Sequence, residues 1–403
     1  MVQAEGDAVT TGGEIDVVQA RRDTPGCAHV LHFNNAGAAL MPLPVVDAVT
    51  GHLRLEAEIG GYEAAEWAYG AVERVYDAAA QLIGCGRNEI AIIENATRAW
   101  DMAFYSLPFR AGDRILTAVA EYASNYIAFL QIAQRTGAVV EVIPNDESGQ
   151  VSVEALAGMI DERVKLIAIT HVPTNGGLVN PATEIGRIAR SANVLYLLDA
   201  CQSVGQMPID VETIGCDFLS ATGRKYLRGP RGTGFLYVRR EILERLEPPF
   251  LDLHAAKWTA WDRYEIRADA RRFENWETNY AGKIGLGVAI DYALGWGLDA
   301  IWARVSQLAR TLRERLHNVS GVTLRDLGTQ QCGIVTFTVN GRDPQDIRRA
   351  LAMERINVSV SLAEYARLDM ERRGLASVVR ASLHYYNTND EIERFRAVLA
   401  RVM

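Results

Sequence analysis

The sequence predicts an α/β fold: a mostly parallel sheet with flanking helices, followed by a smaller α+β C-terminal domain. Two observations carry that expectation. Short apolar, β-branched runs recur through the middle of the chain, and the stretches between them, such as "ASNYIAFLQIAQRTG" and "ATEIGRIARSAN", set apolar residues at helical spacing against a polar face. Continuous apolar strands separated by helices need cover on both faces, which is the situation of a parallel sheet. Such a fold brings the carboxyl ends of its strands together, where ligands of open α/β sheets bind.

In order, the strand candidates are "EIAIIEN" (89–95), "DRILTAV" (113–119), "AVVEVIPN" (138–145), "VKLIAIT" (164–170), "VLYLLDA" (194–200), "DFLSAT" (217–222) and "GTGFLYV" (232–238). Past residue 285 the pattern changes. "GLGVAIDYALGWGLDAIWARVSQLARTLRERL" reads as long helix, "GIVTFTVN" as strand, "DPQDIRRALAMERI" as helix and "VVRASLHYY" as strand. The expected organisation is an N-terminal arm over 1–30, a large α/β domain over 31–284 and a small α+β domain over 285–403. No repeat or low-complexity linker separates the two domains, so they are expected to pack closely.

The chain has 403 residues, 49% apolar and 23% charged, with a formal net charge of −8. That is the balance of a soluble globular protein, and it argues against a nucleic-acid partner, since a phosphate backbone needs a basic face. Cys27, Cys85, Cys201, Cys216 and Cys332 are scattered and form no C-x-x-C pair, which suits a reducing cytoplasm better than a disulfide framework or zinc site. No paired histidine spacing indicates a metal. The start, "MVQAEGDAVTTGGEIDVVQARRD", lacks a basic-then-apolar signal, and no apolar run is long enough to span a bilayer. A cytoplasmic protein with no membrane partner is expected.

Chemistry concentrates at two neighbouring strand ends. "LYLLDACQ" ends a strand on Asp199 with Gln202 three residues on, and "DFLSATGRK" delivers Thr222 and Lys225 beside it. Taken singly, Asp199 could cap a helix and Lys225 could be a snorkelling surface cation. Taken together they match Schiff-base chemistry with pyridoxal 5'-phosphate, which needs a lysine, an acid to keep the pyridine nitrogen protonated, and an anion site for the phosphate. Arg224 beside the lysine would lower its pKa and favour the neutral amine.

On these residues the chain resembles the class V aminotransferases, the fold type I pyridoxal-phosphate group that includes cysteine desulfurases and related C–S lyases, over roughly residues 31–395. The resemblance implies that Lys225, in "TGRK", bonds to the cofactor and acts as catalytic base. Thr222 and Arg224 would contact phosphate, Arg224 standing where the desulfurases have histidine. Asp199 would pair with the pyridine nitrogen and Gln202 would lie near the phenolic oxygen. In "ENATRAWDMAF", Ala96 and Thr97 open a helix whose N–H groups suit phosphate. Tyr122, in "EYASN", replaces a stacking histidine; it can stack but cannot relay protons near neutral pH. "THVPTNGG" offers Thr174 or Asn175 to the ring's oxygen side. Arg380, in "VVRASLHYY", matches the arginine that grips the substrate α-carboxylate, and Asn35 falls where the N-terminal segment closes over the substrate. Thr278, beside Glu277, stands near a loop that contacts the neighbouring subunit's phosphate. A homodimer with shared active sites and a small amino-acid substrate follow from the same resemblance; the exposed-looking Trp258, Trp261 and Trp276 give it loose support.

One departure narrows the reaction. The desulfurases carry a loop cysteine some twenty residues before the arginine, and "NVSVSLAEYARLDMERRGLASVVR" contains none. Cys332 lies too early and reads as a strand or core residue. Elimination from a sulfur-containing amino acid or conjugate without persulfide transfer is therefore the expected activity. Transamination and epimerisation are the alternatives on the same scaffold, with a non-catalytic binding protein as a remote one. A nicotinamide enzyme fits less well, because no G-x-G-x-x-G follows an early strand.

Overall fold

The computed structural model describes residues 14–403, so the first part of the expected N-terminal arm, residues 1–13, lies outside it. All seven strand candidates form strands: β1 (Ile90–Ile93), β2 (Arg114–Ala118), β3 (Val139–Ile143), β4 (Val164–Thr170), β5 (Leu195–Asp199), β6 (Phe218–Thr222) and β7 (Gly234–Val238). They make one sheet in the spatial order β1-β7-β6-β5-β4-β2-β3, in which only β7 runs against its neighbours.

Period-two alternation along the central strands feeds two cores. Tyr196, Leu198, Leu219 and Ala221 point into one, beneath helices that include Tyr69–Ile83 and Ala182–Ser191. Leu197 and Phe218 point into the other, with Trp100, Phe104 and Phe129. This two-sided burial explains why these runs read as continuously apolar. Parallel register then sets Thr170 opposite Asp199 and Asp199 opposite Ser220 at the carboxyl ends of β4, β5 and β6.

The C-terminal unit is a four-stranded antiparallel sheet of β8 (Val322–Leu324), β9 (Ile334–Val339), β10 (Ser359–Leu362) and β11 (Ser377–Ser382), ordered β8-β9-β11-β10. The expectation of one long helix from residue 285 is corrected. Helix Tyr280–Trp296 ends at Gly297, and helix Leu298–His317 leaves at 79° to it. Gly297 has φ 82°, a backbone region that costs any residue with a Cβ, so the helical apolar pattern continues while the axis turns. Periodicity reports which face is buried and is blind to a break of this kind.

Residues 31–37 cross to the C-terminal unit. Leu31–His32 pairs in parallel with Ile356–Asn357, and Leu31 and Phe33 pack in the core of the small sheet. Arg228 anchors the same segment from the other side. It donates to the Leu40 carbonyl at 2.9 Å, the Thr24 hydroxyl at 2.5 Å and the Tyr385 hydroxyl at 2.7 Å. The guanidinium also lies 4.6 Å from the Tyr386 ring centroid, a cation–π contact in a buried setting.

Gly205 allows the closest of the approaches beneath the β6–β7 connection. It has φ 90°, and a Cβ there would lie 2.5 Å from the carbonyl carbon of Tyr226. Gly205→Ala therefore forces the backbone next to Lys225 to move. It is expected to lower stability by about 1–3 kcal/mol, the usual range for overpacking, in chemical denaturation monitored by tryptophan fluorescence; an unchanged midpoint would contradict the packing described.

Candidate active site

A cavity of about 470 Å³ opens at the carboxyl ends of β4, β5 and β6. The structure brings Ala96, Thr97, Tyr122, Thr174, Asp199, Gln202, Thr222, Arg224, Lys225 and Arg380 onto its wall. Ala36 and Gly37 close it from the N-terminal segment, and Tyr365 closes it from the turn after β10. Its volume lies within the roughly 300–1,000 Å³ usual for small-molecule sites.

Asn35 and Asn175 face elsewhere, and Thr278, expected beside the neighbouring subunit's phosphate, lies outside this cavity. Asn35 is buried beside the wall, donating to the Ser382 carbonyl at 2.8 Å and accepting from the Tyr386 hydroxyl. The Asn175 Oδ1 accepts from the Ser361 hydroxyl, and its Nδ2 is buried without a partner. Thr278 lines an adjoining cavity of about 280 Å³ with Glu277 and the buried Lys283–Glu274 pair; the two cavities share Glu94 and Gly232.

Lys225 follows β6 in a loop tied by the bonds from Gly229 N–H to Gly223 O and from Arg228 N–H to Lys225 O. Its side chain is half-buried at the wall, and burial lowers the pKa of its amine, with Arg224 and Arg380 pushing the same way and Cys201 and Asp199 opposing. Arg224 donates to the Gly37 carbonyl. Arg380, only 8% exposed, donates from Nε to the Ser359 hydroxyl at 3.0 Å and from Nη1 to the Thr174 hydroxyl. Among the described residues neither arginine meets a carboxylate, and burial lowers the pKa of Arg380, with Arg224 adding to the effect. A buried guanidinium bonded only to hydroxyls is a receptor for an anion.

Asp199 accepts from the Cys201 N–H at 2.9 Å and from Asn125 Nδ2 at 3.0 Å. Burial pushes its carboxyl up, while those donors and Lys225 hold it down. Sequence reasoning passed over Asn125 and its partner Glu121. Both are buried, and Asn125 bridges the Glu121 and Asp199 carboxylates. The signal was present in "EYASN", whose first and last letters stand four apart at a helix start, on one side of the helix Ala123–Thr136.

These residues fit pyridoxal phosphate. The N-cap Asn95 accepts from Arg98 N–H at 3.0 Å, leaving the first N–H groups of helix Ala96–Tyr105 for an anion. Thr222 adds a hydroxyl, bonded at 3.3 Å to the Thr233 carbonyl. The Gln202 Oε1 is buried on the same wall without a partner, as a group awaiting a ligand would be. Cys332 is fully buried in the core, its thiol pushed up to about 12 by burial.

The aminotransferase class-V profile matches residues 31–395. The chain belongs to that family of pyridoxal-phosphate-dependent enzymes. It is 35% identical over 384 residues to a probable cysteine desulfurase of Xylella fastidiosa, covering 93% of this chain and 91% of the relative. It is 31% identical over 389 residues to a probable cysteine desulfurase of Methanothermobacter thermautotrophicus, covering 95% and 97%. The apo structure of a cysteine desulfurase from Thermococcus onnurineus superposes with a TM-score of 0.88 at 28% identity, covering 95% of this chain and 97% of that one.

A lowered lysine pKa has a direct consequence for cofactor uptake. The neutral amine attacks the aldehyde, so loading of the apoprotein is expected to rise with pH around a midpoint below the ordinary lysine range of about 10.4. Arg224→Gln removes a like charge from Lys225 and is expected to move that midpoint upward and slow loading at neutral pH, measured as growth of visible absorbance after mixing. A midpoint that stays in place would show that Arg224 does not act on the amine.

Proposed function

We propose that the protein cleaves the Cβ–S bond of a sulfur-containing amino acid or conjugate by β-elimination, without passing sulfur to a cysteine of its own. The observation that carries this reading is the combination of Lys225 and the carboxylate-free Arg380 on one wall with no thiol in residues 357–380, the segment that leads through β10 to Arg380. Residues 357–380 run through β10, a short turn and a helix into β11, and present Tyr365 to the cavity. Cys201 is the cysteine on the described wall, and burial raises its pKa, keeping it a thiol.

When bound, pyridoxal phosphate supplies an electron sink conjugated to the substrate Cα. Asp199 would hold the pyridine nitrogen in its protonated form, and Gln202 would meet the phenolic oxygen. Thr222 and the N–H groups of Ala96 and Thr97 would hold the phosphate, with Tyr122 against the ring. Arg380, oriented by Thr174 and Ser359, would hold the α-carboxylate and so aim the Cα–H at Lys225. Lys225, whose amine burial and the two arginines push toward the neutral form, would take the Cα proton. The C–S bond then breaks with its electron pair leaving on sulfur, and with one water the products are a thiol, pyruvate and ammonium. Ala36, Gly37 and Tyr365 shield the site from solvent.

The resemblance also supports a homodimer with shared sites, and the scattered, unpaired cysteines suit the cytoplasm. Thr97 and Arg231 stand exposed on the cavity lining, and Trp258 and Trp261 are 75% and 95% exposed. Sedimentation of the purified protein tests the dimer.

Incubation with S-substituted cysteines is expected to give pyruvate and thiol in equal amounts without a 2-oxo acid co-substrate. Lys225→Ala is expected to lose about 10²–10⁴-fold in kcat, the range for a positioned general base. Arg380→Ala is expected to lose about 10–100-fold in kcat/KM, in line with the ~1.5–3 kcal/mol of a hydrogen bond to a charged group. Keto acid formed only when a 2-oxo acid is added would make the protein an aminotransferase instead.

A further inference from the structure

Behind Asp199 lies a second buried carboxylate that is not on the cavity wall. Glu121 is 4% exposed and occupies the turn between β2 and helix Ala123–Thr136. Its Oε1 accepts from the Tyr122 N–H at 2.9 Å, Asn125 Nδ2 at 2.8 Å and the Thr170 hydroxyl at 2.5 Å. Its Oε2 accepts from the Thr117 hydroxyl at 3.0 Å and the Thr170 N–H at 3.2 Å. Three of these five contacts come from N–H groups, which can only donate, and an ionised carboxylate can accept all five. Burial nevertheless pushes its carboxyl up, and among the described residues no cation pairs with it.

Two buried carboxylates thus share one amide. Asn125 has two N–H bonds, and its Nδ2 spends one on Glu121 and the other on Asp199 at 3.0 Å. The ionisable group acting on Glu121 is Asp199, which in turn faces Lys225. Tyr122 contributes only its N–H, and β2 and β4 face it with the uncharged Thr117 and Thr170. A pair of anions this deep is unfavourable in isolation and becomes favourable when a cation occupies the open side of Asp199. A structural tie between β2 and β4 needs no charge, whereas three fixed N–H donors converging on one carboxylate favour its ionised form.

We propose that Glu121 is a positioning residue for Asp199: through Asn125 it fixes the Asp199 carboxylate, and its own buried charge favours the protonated form of the ring nitrogen that Asp199 faces. This rests on pyridoxal phosphate occupying the cavity as described above.

The test uses the full chain loaded with pyridoxal phosphate, as wild type, Glu121→Gln and Thr117→Ala. The visible band is titrated against pH, and the cofactor dissociation constant is measured by equilibrium dialysis. Removing an anion disfavours the protonated form, so Glu121→Gln is expected to lower the pH midpoint by about half a unit or more and to weaken cofactor retention about tenfold, the equivalent of one unit of pKa. Thr117→Ala removes a donor from the same carboxylate but keeps the charge, and is expected to leave the midpoint in place. A thermal midpoint that falls in Glu121→Gln with the band's titration unmoved would make Glu121 a structural tie and overturn the proposal. So would Thr117→Ala shifting the titration as far as Glu121→Gln. Should Glu121→Gln not fold, Glu121→Ala, which removes the same charge, replaces it with the same two outcomes. Absence of a visible band in the wild type would defeat the cofactor reading itself, a failure distinct from an unmoved titration.

Discussion

Three parallel strands in register are the constraint on which the rest of the site depends. Thr170, Asp199 and Ser220 are direct neighbours across β4, β5 and β6. A slip of one residue in β5 would turn Asp199 into the hydrophobic core and Leu198 into the cavity. The register is held by the packing of Leu197 and Phe218 on one face and Leu198 and Leu219 on the other, so the same burial that stabilises the sheet aims the carboxylate. Lys225, three residues beyond the end of β6, inherits its place from that arrangement.

Electrostatics then divide the cavity into two ends. Asp199 places a carboxylate at the deep end, where Asn125 and the Cys201 N–H favour its charged form against the effect of burial. Arg224 and Arg380 make the outer wall positive, restrained by the Gly37 carbonyl and by hydroxyls rather than by carboxylates. Lys225 lies between them, and its amine is pulled toward neutrality by burial and the two arginines. A zwitterionic ligand with a cationic ring at one end and anions at the other matches this polarity.

The cavity is closed by chain drawn from both termini. Arg228 joins Thr24 and Leu40 to Tyr385, while His384 Nε2–H donates to the Tyr226 carbonyl at 2.9 Å. Residues 36–37 and Arg380 are therefore presented by segments fastened to the same loop that carries Lys225. Changes in that loop reach the substrate side without any direct contact.

Two-sided burial and strand-end position are local patterns, so the strands, the α/β class and the gathering of Asp199, Gln202, Thr222 and Lys225 at neighbouring strand ends were legible in the sequence. It also located Ala96 and Thr97, since a helix start is written in neighbouring residues. The turn at Gly297 stayed hidden, because helical periodicity continues through it. Asn35 and Asn175 were drawn toward the cavity by their position in the chain, yet bonds to Tyr386 and to Ser361 turn them elsewhere. Glu121 and Asn125 went unread because their importance lies in meeting Asp199, 74 residues on from Asn125. Only the tertiary structure decided which polar groups share a buried volume, since desolvation gives a hydrogen bond or a charge its weight and depends on neighbours remote in sequence.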